Sequence, residues 1–561
     1  MRSIADGLPM RARIRNFRLV LCATVAGLLL LAVLVLPALL APTEAARGVY
    51  AQHRDAAPPA PAERATAFLD GEGGVLEGFS SHLPLVLIDT GGRPIPVHQI
   101  LDMEKGYMVP IPGVEPFVPC ELRVYDGGGY NRLTDAPAVR TSARIKRRGN
   151  SSHAFEKAQY KLNLLTADGA ENPLPLLGMG AEDEWVLNGS MLDKSLLRNY
   201  MAFTVAAEVL PYTPKVRYCE VLLRDGDKLR YEGVYLLIEK IKQGPHRVAI
   251  SDEAPQGGET AYLLRRDRYD PERLMLRTHA SETGLSAGRL GLLYPKRDKA
   301  DEAVVRFVEA DISAFERVLY SDDPGVFLTY KDYIDVDSFV DYVILNEFFG
   351  NYDAGWNSTY FYKDLGGKLC AGPIWDYDSI LDNYISEPMD PMAVAFAGAP
   401  WFDRLIRHRE FVERVLARYG ELRRGPLSPR RMDALLDGAA RYLGPARERD
   451  WRRWRAVYTG PEYALPDIAF TAAAHAGEAA PDEPQLLRRQ TDSYEQEILK
   501  LRYLLRAHGE IIPKALPQAN NLHTASISAA EDYKKSSMLV MLFLLSFAAA
   551  VRIARRHGGG A

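Results

Sequence analysis

An α+β fold is predicted. Short strand-like segments broken by Gly and Pro fill the first half of the chain. From Asp335 onward apolar residues recur at helical spacing, and no regular strand–helix–strand alternation joins the two halves. Composition supports ample core: of 561 residues, 47% are apolar, 25% charged and 10% aromatic. Such values exclude a wholly disordered or fibrous chain. With 69 basic against 73 acidic residues and a formal charge of −4, a nucleic-acid partner is not expected. Four cysteines are too few for a disulfide scaffold, and the three outside the first apolar run (Cys120, Cys219 and Cys370) cannot all pair.

The ends come first. A basic tail (1–18) with Arg11, Arg13, Arg15 and Arg18 precedes an uncharged run, Leu19 to Ala41, long enough to cross a bilayer. An uncleaved anchor is favoured over a signal peptide because the run exceeds an ordinary signal core. Residues 536–552 form a second apolar run followed by the basic tail 553–561, and read as a second transmembrane helix. If both span, everything between lies on the extracytoplasmic side of a bacterial cytoplasmic membrane. Residues 42–80 and 516–535 read as tethers.

Between the tethers, 81–145 is expected to be β-rich, with strands at Leu83–Ile88, Phe117–Tyr125 and Val139–Ile145. Residues 146–425 mix strands and helices. Gln159–Leu165 alternates polar and apolar as a half-buried strand does, and Trp185–Leu187 opens a turn. Asp193 is placed as the N-cap of a helix over Lys194–Leu210. Tyr218–Leu223 and Gly233–Ile238 are expected to pair. Helices follow at Val336–Phe349 and Trp401–Leu422, and in a helical C-terminal region, 426–515, at Met432–Arg453 and Leu486–His508.

Three constellations could do chemistry, of which the third, Gly233–Lys242 (GVYLLIEKIK), is by itself no more than an edge strand with a polar end. Asn351–Asn357 (NYDAGWN) and Gly372–Asp378 (GPIWDYD) flank the strand-like Thr359–Lys363 and gather hard oxygen donors. Mg²⁺ takes one or two carboxylates plus substrate phosphates, and phosphoryl transfer needs such a site beside a carboxylate that orients the attacking hydroxyl. Asp353 is therefore the candidate orienting base, with Asn357 and Asp376 or Asp378 as metal ligands. Asp and Asn are also ordinary turn formers, so a turn-only reading stands beside this one. The second constellation, Arg144–Lys161, sets Lys146, Arg147, Arg148, Lys157 and Lys161 around a small-residue turn, Gly149–Ser152. It suits a polyphosphate but lacks the Walker spacing, and a solvated basic face is the plainer alternative.

In order, the segments RGNSS, QYKLNL, LLGM, EWVLNGSMLDKSLLRN, GVYLLIEKIK, YPK (Tyr294–Lys296), NYDAGWN and GPIWDYD resemble the CotH family of atypical, spore-coat-related protein kinases, from roughly Leu83 to Asp450. The resemblance implies a two-lobed, protein-kinase-like fold with ATP and Mg²⁺ (or Mn²⁺) in its cleft and protein Ser or Thr as acceptor. Position by position it implies Asp353 as catalytic aspartate and Asn357 and Asp376 as metal-binding residues. Lys161, with Arg148 beside it, would contact phosphates, although Lys157 is a close rival. Glu239 would lie near the adenine, and Glu208 could pair with the lysine. The expected function is an anchored, extracytoplasmic kinase; the alternative is an inactive kinase-like surface or envelope-assembly protein. A metal-dependent phosphohydrolase is a third reading.

Overall fold

The computed structural model describes residues 51–55, 74–75, 78–252 (save 103 and 106), 258–383 (save 287 and 288), 394, 396, 398–460, 469–471, 486–488 and 491–518. By its internal contacts the chain divides into units 1–50 and 51–561, and every described residue lies in the second.

Seven strands close into a barrel. They are β1 (Leu85–Asp89), β2 (Val118–Tyr125), β3 (Val139–Arg147), β4 (Tyr160–Leu165), β5 (Glu184–Asn188), β6 (Val216–Asp225) and β7 (Lys228–Glu239), in the order β6-β7-β5-β4-β3-β2-β1. The closing pair, β1 with β6, is parallel; the remaining pairs are antiparallel. Strand alternation sends Ile88, Leu122, Ile145, Leu162, Trp185 and Leu237 into one inner core. The outer face of the same strands carries Arg144, Lys146 and Lys161 on one side. On another, Val186, Val216 and Ile238 join the larger core of the molecule.

Trp185–Leu187, expected to open a turn, lies instead inside β5. Bulky residues paired on both sides, to β4 and to β7, settle into a pleated sheet more readily than into a turn. Strand β3 runs across residue 145, so the barrel draws on both the stretch expected to be β-rich and the stretch that follows it. At a register shift in β6–β7, Gly233 adopts φ +118°. A Cβ there would stand 2.4 Å from Asp450 Oδ1 and 3.0 Å from Trp454 Nε1, so only glycine fits.

A helix α1 (Arg198–Ala206), buried at every position, packs beside the barrel. It is shorter than the expected Lys194–Leu210, and Asp193 does not cap it in the ordinary way. The Asp193 carboxylate accepts from Ser195 N (3.1 Å) and Arg198 N (2.8 Å), holding residues 193–197 as a bonded turn.

The second half is built on five antiparallel strands: β8 (Tyr262–Asp267), β9 (Leu274–Met275), β10 (Arg289–Tyr294), β11 (Thr359–Lys363) and β12 (Cys370–Ala371), ordered β9-β10-β8-β11-β12. Around them pack α2 (Glu302–Leu319), α3 (Val336–Phe348) and α4 (Arg409–Leu422), while α5 (Pro429–Tyr458) lies against β7 of the barrel. Asp301 and Asp335 cap α2 and α3 through Val304 N (2.9 Å) and Ser338 N (2.8 Å). The expected helix over 401–422 breaks into Phe402–Ile406 and α4, and α5 kinks at Gly444–Pro445. Residues 494–518 form a last helix, later than the expected start at Leu486.

The expectation of a transmembrane helix near each end is corrected here. The fold is mixed helix and strand, and among the described residues no helix is long and apolar enough to cross a membrane. The runs 19–41 and 536–552, on which that expectation rested, lie outside the described residues.

Candidate functional site

Helix α3 is polar only where it is bonded, and it delivers the chain through Phe349 and Gly350 into a short loop before β11. There the Asp353 carbonyl accepts from Asn357 N at 2.9 Å, and Asp353 Oδ1 accepts from Asn357 Nδ2 at 2.7 Å. Thr359 Oγ1 pins the same loop by accepting from Gly355 N at 2.6 Å. Gly355 sits at φ +79°, with no room for a Cβ against Ala399.

The β11–β12 hairpin returns the chain to the second loop, 372–383. Asp376, Leu381 and Asp382 there, and Ser358 in the first loop, all adopt left-handed φ values of 49–67°. Four such non-glycine residues in two adjoining loops mark a site where backbone strain is held by its surroundings. Ser358 Oγ donates to Asp376 Oδ2 at 3.3 Å, tying the loops together.

The charged groups of the two loops and of the β3–β4 turn act on one another. Burial raises the Asp376 carboxyl; the neighbouring Asp353 and Asp267 add to the effect, while Arg148 and Arg265 oppose it. Asp378 is raised further, by burial and then by repulsion from Asp376 and Asp193. Arg148 is lowered by burial, with Asp376 and Asp378 pulling the other way. Its guanidinium stands 5.4 Å from the Trp375 ring and donates to Gln159 Oε1 at 2.8 Å. The turn between β3 and β4 thus meets the carboxylate loops, and Asp353, Asn357, Asp376, Asp378 and Arg148 form one constellation.

Lys161 and Glu239 are engaged elsewhere. Lys161 Nζ lies 2.5 Å from Glu184 Oε1, and Lys240 Nζ lies 2.7 Å from Glu184 Oε2. Burial works against the Glu184 charge, but Lys240 and Lys161 together hold its carboxyl well below the usual range. Lys161 also shares the Phe117 ring with Arg144 (4.5 Å) and Lys146 (4.9 Å), so it belongs to a basic outer face of the barrel. Glu239 has both oxygens taken, Oε1 by Arg247 Nη1 (2.8 Å) and Oε2 by Lys215 N (2.9 Å). The rival Lys157 is fully buried against Asp450 at 2.6 Å. Glu208 pairs with Arg431 and, at 3.7 Å, Arg54 rather than with a cleft lysine.

Several residues that hold the site were not singled out from the sequence. Asn199 Oδ1 accepts from Tyr377 N at 2.8 Å, and Asn346 Oδ1 accepts from the Tyr377 hydroxyl at 2.6 Å. Arg198 donates to the carbonyls of Ile380 (2.8 Å) and Leu381 (3.2 Å). Arg265, paired with Asp267, lies near Asp376. The available signal was polar side chains inside otherwise apolar helices and, for Arg265, an apolar strand, where burial demands a partner.

Among the described residues no group of three or more His, Cys, Asp or Glu side chains has the arrangement of a metal centre. The donor chemistry of Asp376, Asp378 and Asn357 still fits a hard divalent cation. It offers carboxylate and amide oxygens, with the half-buried Asp376 and the buried Asp378 close enough to repel each other, a repulsion such an ion would relieve.

Residues 145–501, more than half of the chain, match the family described as CotH kinase protein. This chain belongs to the CotH kinase family. No curated protein matches it. Membership in the CotH family makes the chain kinase-like and carries with it, in general terms, use of ATP with a divalent metal and action on a protein substrate. The matched span holds both carboxylate loops, the β4 lysine and the start of the last helix.

Proposed function

We propose that this CotH family chain transfers the γ-phosphoryl group of ATP to Ser or Thr hydroxyls of protein substrates, with Mg²⁺ or Mn²⁺. The observation that supports the reading is the meeting of Asp353, Asn357 and Asp376 with Arg148, since phosphoryl transfer calls for a carboxylate to orient the hydroxyl, oxygen donors for a metal and a cation for phosphate. Catalysis of this kind is mainly positioning and charge neutralisation. A bound divalent ion would supply neutralisation of the phosphate charge. Asp353, with its Oδ1 held by Asn357, keeps its other carboxylate oxygen for the acceptor hydroxyl. Arg148, carried on the β3–β4 turn, contacts phosphate oxygens. The basic outer face with Lys161 draws the nucleotide in, Lys161 exchanging Glu184 for phosphate.

The test is metal-dependent autophosphorylation, and phosphorylation of a Ser/Thr-rich protein, by wild type, Asp353→Ala and Asp376→Asn. Each variant is expected to lose about 100-fold or more in rate while keeping its Tm, Asp353→Ala through loss of the group that orients the acceptor hydroxyl and Asp376→Asn through loss of a charged metal ligand. Equal activity in Asp353→Ala overturns the reading. Release of inorganic phosphate with no labelled protein replaces it with a hydrolase.

A further inference from the structure

The loop bearing Asp376 and Asp378 is held from an unexpected direction. Leu381, at φ +51°, donates its N–H to the Phe349 carbonyl at 3.1 Å, where α3 ends before the Asp353 loop. Its own carbonyl, and that of Ile380, accept from Arg198. Asn383 Nδ2 donates to the carbonyls of Asp378 (2.7 Å) and Leu192 (2.9 Å). Arg198 is therefore the hub of this loop, and it is wholly buried. A buried guanidinium needs its charge matched and its N–H groups filled. Asp193 Oδ1 supplies one partner at 2.7 Å.

The second partner comes from far along the chain. Glu497, in the first turn of the helix over 494–518, brings Oε1 to 2.7 Å from Arg198 Nη2 and 3.5 Å from Lys500 Nζ. Its Oε2 accepts from the Thr491 hydroxyl at 2.6 Å. Burial opposes ionisation of Glu497, but Lys500 and Arg198 outweigh it and hold the carboxyl down at about 2, so Glu497 is charged at neutral pH. Lys194 reaches the same segment, donating to the Thr491 carbonyl at 3.3 Å.

We infer that Glu497 is a positioning residue for the candidate metal loop: it acts through Arg198, so the C-terminal helix sets the geometry of Asp376 and Asp378. The inference rests on the reading of those two carboxylates as metal ligands. Removing Glu497 leaves Arg198 with one buried counter-charge. The guanidinium then has reason to turn away from the Ile380 and Leu381 carbonyls toward other acceptors, and the left-handed residues lose a restraint.

Two readouts on the full chain test this, hydrogen exchange of residues 376–383 without metal and Mn²⁺ affinity followed by the electron-spin signal of the free ion. Glu497→Gln keeps the shape and removes the charge. It is expected to speed exchange in that segment and to weaken Mn²⁺ binding by about 10- to 100-fold, the range for partners that orient metal ligands. Glu497→Asp, which keeps the charge at a shorter reach, is expected to fall between and serves if the Gln variant folds poorly. Arg502→Ala breaks the ion pairs of the same helix to Asp433 (2.7 Å) and Asp437 (2.6 Å), and is expected to lower Tm without changing either readout. Unchanged exchange in Glu497→Gln, or the same change in Arg502→Ala, overturns the inference. If exchange responds as expected but wild type binds no Mn²⁺, the positioning role stands and the metal-ligand reading falls.

Discussion

At the scale of single residues, the turn beneath the basic constellation rests on a neutral histidine. His153 is almost fully buried; its Nε2 accepts from His98 N at 3.1 Å, and the two rings meet edge to face at 4.4 Å. Burial lowers its pKa to about 3, and the nearby His98, Arg147 and Lys146 push the same way. The unfolded chain takes up this proton near pH 6.5, whereas the folded protein refuses it until about pH 3. Between those values the unfolded state binds more protons, so stability rises with pH and is lost on acidification. His153→Gln is expected to flatten the fall in Tm between pH 6.5 and 4; an unchanged slope would remove His153 as its cause. Legibility in the sequence divides along the same line of reasoning. Asp353, Asn357, Asp376 and Asp378 could be read because oxygen donors at short spacing beside a hairpin have a chemical use. Arg198, Asn199 and Glu497 could not, because what they do depends on partners about 180 and 300 residues away.

At the scale of elements, most strands and helices were visible as runs of the right period, and their ends were not. The pairing of β6 with β7 follows from two apolar runs separated by a short polar turn, and it forms as expected. What periodicity could not show is closure. Strand β1 is short, and its partner β6 lies some 130 residues on, joined in parallel, so no local pattern links them. Closure has a consequence that the family match does not. The match begins at residue 145, yet Val86, Ile88, Leu122 and Val124 fill the barrel core from before that point. A fragment beginning at residue 145 lacks β1, β2 and most of β3, leaving β4 and β6 as open edges over an uncovered apolar interior. It is expected to aggregate or to bind a hydrophobic dye, whereas a fragment beginning at residue 78 is expected to unfold in one cooperative transition. Circular dichroism with urea titration of the two fragments decides it, and a cooperative transition in the shorter one would show that the first strands are dispensable.

At the scale of the whole molecule, α5 joins the barrel to the site's far support. Its last turns seal the barrel: Arg449 pairs with Glu220 at 2.7 Å, Trp454 Nε1 donates to the Glu232 carbonyl at 2.8 Å, and Asp450 receives Lys157 Nζ at 2.6 Å and Val234 N at 2.8 Å. Its earlier turns present Asp433 and Asp437 to Arg502 and Arg506 of the last helix, the helix whose first turn carries Glu497. The Lys157–Asp450 pair is the tightest point of this chain of contacts, with both side chains fully buried and the Tyr458 hydroxyl bonded to Asp450 Oδ2 at 2.7 Å. Burial lowers the Lys157 pKa even though Asp450 opposes the change, the mark of a charge kept in place only by its partner. Lys157→Met strands the Asp450 carboxylate and is expected to cost about 3–5 kcal/mol, and Asp450→Leu strands the ammonium at similar cost. The double variant removes both charges and fills the space with apolar atoms, so it is expected to be more stable than either single one. Urea unfolding of the four proteins measures the coupling. If the two losses simply add, the buried pair is not what clasps α5 to the barrel, and the backbone bond to Val234 carries that contact instead.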